Sequence, residues 1–214
     1  MIYLLISILL SFILSIVFTF FNCKIVFKKI TIKTFIIFFI VIYFVSLITI
    51  IVNYYYNSSI DYLLIVYFII LISIGIVDHF LLIIPDFYNL IILIMSIIIV
   101  VVKYCFNSMQ YFHSTLDFVL GIVVMTLLFV VLLIIARKKE ILGFGDIKLL
   151  FGVGILVGLI NILIIIFIAC FMALLFEGIV NHFKRRMLPF GPYLVTSIMI
   201  IILFHNLLDK LLFL

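Results

Sequence analysis

The sequence predicts an all-α fold, a polytopic membrane bundle of about eight transmembrane helices. Three observations predict it. The chain of 214 residues is 70% hydrophobic and 10% charged, whereas a soluble domain is near half apolar and a quarter charged. Its apolar residues gather into runs close to the roughly 20 residues that a helix needs to cross the hydrocarbon core. Its Lys and Arg residues cluster in short loops, at Lys24 to Lys33, Arg137 to Lys139 and Lys184 to Arg186. The net charge of +5 is therefore a topology signal of cytoplasmic loops, and a nucleic-acid partner is not expected.

The runs fall at about 2–22, 34–52, 60–77, 87–104, 116–136, 146–157, 159–178 and 193–206, with ends uncertain by a few residues. The first has no basic residue before it and no small-residue cleavage site. It is expected to be a retained helix rather than a secretory signal. A single helix over 146–178 would be about 50 Å long, too long for one ordinary span. Two spans with a tight turn at Gly158-Leu159-Ile160-Asn161 are expected instead. Gly154-x3-Gly158 suits close helix packing. The loops at 53–59 and 105–115 are rich in Asn, Tyr and Ser, and Tyr is common at membrane interfaces.

With the 23–33 loop in the cytoplasm, loops 78–86, 137–145 and 179–192 fall on the same side and both termini fall outside. All Lys and Arg residues except Lys103 and Lys210 are then cytoplasmic or at that interface, eleven of 13. That count favours eight spans over seven. It also brings two acidic sites to one membrane depth: Asp78 at the end of the third span and Asp146 at the start of the sixth.

Carboxylates at a membrane helix are costly and usually face the bundle interior. Two close together share a proton. The ionised member can activate water while the protonated one donates to a scissile carbonyl. Asp146 sits in Gly143-Phe144-Gly145-Asp146-Ile147-Lys148, near a helix N-terminus whose dipole favours a carboxylate. Gly143 and Gly145 are expected to supply backbone angles closed to other residues and to let an extended substrate approach. Asp146 as a helix cap is an open alternative. Lys148 would neutralise local charge or reach lipid phosphate. Asp78 lies upstream of Pro85-Asp86, where Pro suits a helix start and Asp86 its first turn. Leu188-Pro189-Phe190-Gly191-Pro192 is a rigid re-entry in the same layer. His79 is expected to be solvated, and Glu177 to pair with the nearby basic cluster. Cys23, Cys105 and Cys170 form no C-x-x-C pair, so neither zinc nor disulfides are expected.

These motifs together resemble the type IV prepilin peptidases, a family that includes archaeal preflagellin peptidases. Asp78 with Ile84-Pro85-Asp86, then Gly143 to Lys148 with Leu149-Leu150, then Pro189-Phe190-Gly191-Pro192 stand in the family's order, across roughly residues 62–200. Three motifs in order are far more specific than one. The resemblance implies a membrane-embedded aspartic endopeptidase of the cytoplasmic membrane. Asp78 and Asp146 would be its catalytic residues, with Gly143, Gly145, Lys148, Pro85, Asp86, Pro189 and Gly191 supporting. It implies no metal or other cofactor. Its partners would be prepilin or pseudopilin precursors and the lipid bilayer, with a basic leader cut off on the cytoplasmic side.

Bifunctional members of that family also methylate the new N-terminus and carry a cytoplasmic insert, usually with two C-x-x-C pairs. Here only Cys23 to Lys33 occupies that place, and Phe18-Thr19-Phe20-Phe21-Asn22 echoes their G-S-F-L-N element without its glycine. One membrane domain over 1–214, without a methyltransferase insert, is expected. Two alternatives stay open. A presenilin or signal-peptide-peptidase relative would share G-x-G-D but favours Tyr-Asp at the first site, where Val77 stands here. A small proton-coupled transporter would place its carboxylates near the midplane, in repeated halves.

Overall fold

A computed structural model describes residues 2–26, 32–57, 62–105, 127, 143–179 and 189–212. The fold is all-α. Its helices are α1 (Ile2–Val26), α2 (Ile32–Asn57), α3 (Tyr62–Leu81), α4 (Asp86–Cys105), α5 (Phe144–Ile179) and α6 (Gly191–Leu212). Of the expected span at 116–136 only Leu127 is among the described residues. The basic clusters Arg137–Lys139 and Lys184–Arg186 and the side chain of Glu177 lie outside them. Two of the described helices, at Ile6–Val26 and Tyr62–Leu81, are long and apolar enough to cross a membrane.

α1 carries its polar residues inward. Ser7, Ser11, Ser15, Thr19 and Asn22 are fully buried, while Leu9, Phe12, Ile13, Ile16 and Phe20 point outward. In water that arrangement would be upside down; in lipid it is the expected one, because small residues let helices approach. The hydroxyls of Ser11, Ser15 and Thr19 donate to the carbonyls of Ile8, Ser11 and Ser15 within the helix. No polar hydrogen of the stripe's centre is thereby left facing an apolar neighbour. The stripe packs against α2 and α3.

α3 is the central helix. It is apolar all round, buries thirteen residues and touches α1, α2, α4 and α6, as a helix with no polar face must. Two side-chain bonds tie its surroundings together. The Tyr67 and Ser96 hydroxyls pair between α3 and α4 at 3.1 Å, and the Tyr88 hydroxyl on α4 donates to Asn22 Oδ1 on α1. α3 runs to Leu81, four residues beyond the expected end, so Asp78 lies within its last turn.

α5 is broken at Gly158, whose φ of 81° and ψ of 173° are open essentially to glycine alone. The Asn161 side-chain amide donates to the Val157 carbonyl at 2.8 Å, satisfying a group the broken ladder would leave bare. The break turns the chain back. Asp146 lies within electrostatic reach of Asp78, which bonds Gly191. Phe176 meets Tyr193 with ring centroids 6.1 Å apart. Both ends of α5 thus lie at the start of α6, whereas a straight helix would separate residues 146 and 176 by about 45 Å.

Candidate active site

One helix end and three helix starts build the site, each shaped by a local rule. The Leu82 N–H donates to the Asp78 carbonyl at 2.8 Å, closing α3 with a residue in the left-handed region (φ 56°). Glycine is the usual occupant of such a cap. Three residues after Leu82, Pro85 opens α4, its carbonyl accepting the Tyr88 N–H at 3.0 Å. Pro85 is therefore the capping residue and Asp86 the first of the helix, as the sequence suggests.

The start of α5 corrects two expectations. The Gly143 carbonyl accepts the N–H groups of Asp146 and Ile147 at 3.1 and 3.3 Å. Gly143 occupies the cap, and Asp146 stands in the first turn with its side chain free for the cavity. Neither Gly143 nor Gly145 has a positive φ; among the described glycines only Gly158 does. Their requirement is space. A Cβ on Gly143 would lie 2.9 Å from Asp146 Oδ2, and one on Gly145 would lie 2.9 Å from Ile84 Cβ and 3.2 Å from its carbonyl oxygen. The second glycine lets the two acidic motifs lock together, backbone against backbone.

The Pro-Phe-Gly-Pro stretch does more than turn the chain. The Phe190 carbonyl accepts the N–H groups of Tyr193 and Leu194 at 3.1 Å, so Gly191 begins α6. Its own N–H has no helical acceptor and donates instead to Asp78 Oδ2 at 2.8 Å. Pro192 follows where a missing N–H costs nothing. Pro189 is buried two residues upstream.

Asp78 and Asp146 line one cavity of about 310 Å³, together with Gly143, Gly145, Asp86 and Lys148. Asp78 is 5% exposed. Asp86 is the opposite, with a side chain 79% exposed and paired to Lys148 Nζ at 2.6 Å. Lys148 therefore spends its charge on Asp86 and straps α4 to α5. His79 is exposed and meets the Phe80 ring edge-on at 5.3 Å; it does not line the carboxylate cavity. Among the described residues no cluster of His, Cys, Asp and Glu could hold a metal ion.

Sequence reasoning missed the roles of three residues. Leu82 carried no signal, because nothing in Leu marks a left-handed cap. Ile84 as the wall behind Gly145 was hidden for the same reason. Asn22 was noticed for its motif, and its bond to Tyr88 joins residues 66 apart, which no local pattern encodes.

Two buried-side carboxylates at one end of an apolar helical bundle are the equipment of an aspartic hydrolase working in a membrane. The sequence model of the type IV leader peptidase family matches residues 65–177, more than half of the chain, and the chain belongs to that family. It is an aspartic prepilin peptidase, a hydrolase of a membrane protease family. None of the curated proteins or solved structures compared with it matches.

Proposed function

We propose that this protein cuts the basic leader from prepilin or pseudopilin precursors at the cytoplasmic face of the cell membrane, with Asp78 and Asp146 as its catalytic pair. The observation that carries this reading is the common cavity into which both carboxylates open, one from the end of α3 and one from the start of α5. The Gly191 N–H on Asp78 favours the ionised form of that carboxylate. Asp78 is accordingly the base, and Asp146 holds the shared proton. Asp78 takes a proton from water as the water oxygen attacks the scissile carbonyl carbon. Asp146 gives its proton to the carbonyl oxygen. Collapse of the tetrahedral species breaks the C–N bond; the leaving amine takes a proton from Asp78, and a hydroxyl of the diol returns one to Asp146, which restores both groups.

Gly143, Gly145, Pro85, Pro189 and Gly191 support the pair by setting helix starts and close approaches, and Asp86 with Lys148 by joining two of those helices. Eight spans over a single domain, 1–214, fit the reversal at Gly158, which divides α5 into two segments. The same reading holds that the enzyme does not methylate its product. α1 reaches Val26 and α2 starts at Ile32, leaving 27–31 between them, too few residues for a domain with a core of its own.

The test is direct. Purified protein in lipid vesicles receives a prepilin and an isotopically labelled methyl donor, and the products are weighed by mass spectrometry. The expected product lacks its leader, carries no label, and is absent with Asp78→Asn or Asp146→Asn. Normal cleavage by either variant overturns the pair; a labelled product overturns the unmethylated reading.

A further inference from the structure

Among the described residues α1 and α4 do not pack against each other; each lies on α3. Across the gap between them the Tyr88 hydroxyl donates to Asn22 Oδ1. Asn22 stands four residues before the end of α1, and Tyr88 is the third residue of α4. Tyr88 is thus two residues from Asp86 and four from Ile84, which both line the carboxylate cavity.

The groups around this bond are not all satisfied. Asn22 Nδ2 and both side-chain polar atoms of Asn89, the residue after Tyr88, are buried without a hydrogen-bond partner. They are the only such side-chain nitrogen and oxygen atoms among the described residues. Turning an amide end for end changes nothing. Asn22 would present an orphaned oxygen in place of its nitrogen, and Asn89 lacks both partners either way. Tyr67, by contrast, is paired with Ser96. An amide left unpaired inside a lipid-facing bundle is costly. Here there are two, one bonded to the Tyr88 phenol and one next to it in the chain.

We propose that the free amide groups of Asn22 and Asn89, with the Tyr88 hydroxyl, hold internal water between α1 and α4. Asn22 is 0%, Tyr88 1% and Asn89 5% exposed, so nothing larger than water enters without parting the helices. A buried water makes about three hydrogen bonds. Both amides offer N–H donors, Asn89 Oδ1 offers an acceptor, and the Tyr88 oxygen keeps a lone pair after donating its own proton. Water bound there extends the Asn22–Tyr88 bond into a network. That network joins α1 to the turn that follows Ile84, the residue against which Gly145 packs.

X-ray hydroxyl-radical footprinting of the wild-type protein in lipid vesicles tests this. Radiolysis of a bound water oxidises the side chain beside it, however far that side chain lies from bulk solvent. Tyr67 is the control, as buried as Tyr88 but with its hydroxyl paired to Ser96. The expected result is oxidation of Tyr88 and none of Tyr67. Silence at both, or equal oxidation of both, overturns the proposal. Asn22→Leu combined with Asn89→Leu should abolish the oxidation of Tyr88. Oxidation that persists there comes from other water and also overturns it. The wild-type comparison stands even where that variant does not fold. The thermal midpoint of Asn89→Leu gives an independent reading. A dry, unpaired amide gains stability on replacement by an apolar side chain of like volume, whereas an amide held by water loses it. The midpoint should fall, and one that stays or rises overturns the proposal. Neither reading uses cleavage, so its failure is distinct from failure of the leader-peptidase function.

Discussion

Gly191 donates its backbone N–H to Asp78 Oδ2 at 2.8 Å, and a Cβ on Gly191 would lie 2.6 Å from that same oxygen. The bond and the missing side chain are one device. α6 starts so close to α3 that any side chain at its first residue would push the carboxylate aside. Gly191→Ala should therefore lower kcat by about tenfold or more while KM changes little, since only the carboxylate is displaced. Steady-state cleavage of a prepilin in vesicles checks it, and a wild-type kcat would remove Gly191 from the machinery.

The three aspartates near the cavity should separate cleanly. Asp78→Asn and Asp146→Asn should each abolish detectable cleavage, because acid and base cannot substitute for each other. Asp86→Asn should retain most activity. Its carboxylate is exposed and pairs with Lys148, and a solvent-exposed ion pair is worth about 0–1 kcal/mol. Leader removal read by gel shift under single-turnover conditions distinguishes the three.

Gly158→Ala should be among the most damaging single changes outside the cavity. At φ 81° and ψ 173° a Cβ costs about 1–3 kcal/mol, and relaxing the turn would pull Asp146 from Asp78. The thermal midpoint in detergent should fall together with cleavage. A variant as stable as the parent would show that the reversal tolerates a side chain.

Leu82→Gly should act in the other direction. Leu82 sits at φ 56°, where an L side chain costs about 1–2 kcal/mol. Removing it should raise the thermal midpoint by a small amount, offset in part by glycine's greater freedom in the unfolded chain. Cleavage should persist, because the Leu82 N–H still closes α3. Thermal denaturation followed by activity assay reads both effects.

Much of the site is legible in the chain because its chemistry rests on scarce residues. In a sequence with 8 Asp and Glu in total, a carboxylate at a membrane helix end stands out, and Asp78, Asp146 and Asp86 were all visible. So was the break at Gly158, since one straight helix over that run would overshoot a bilayer. The roles of the glycines were not. A glycine in a sequence says only that something requires the absence of a side chain. At Gly158 that is a backbone angle; at Gly145 it is the Ile84 backbone; at Gly191 it is the Asp78 carboxylate.

By itself the sequence determined that the chain is an all-α, lipid-facing protein, where its helices begin and which acidic residues stand at helix ends, because burial cost and helix length act locally along a chain. Only the tertiary structure decided that Asp78 is held by Gly191 across 113 residues, that Asp86 is turned outward to Lys148, and that α1 buries its serines. Those outcomes depend on which helix faces meet. In a chain apolar on every side, periodicity names no preferred face, so the choice falls to close packing and to the few polar groups that must find one another.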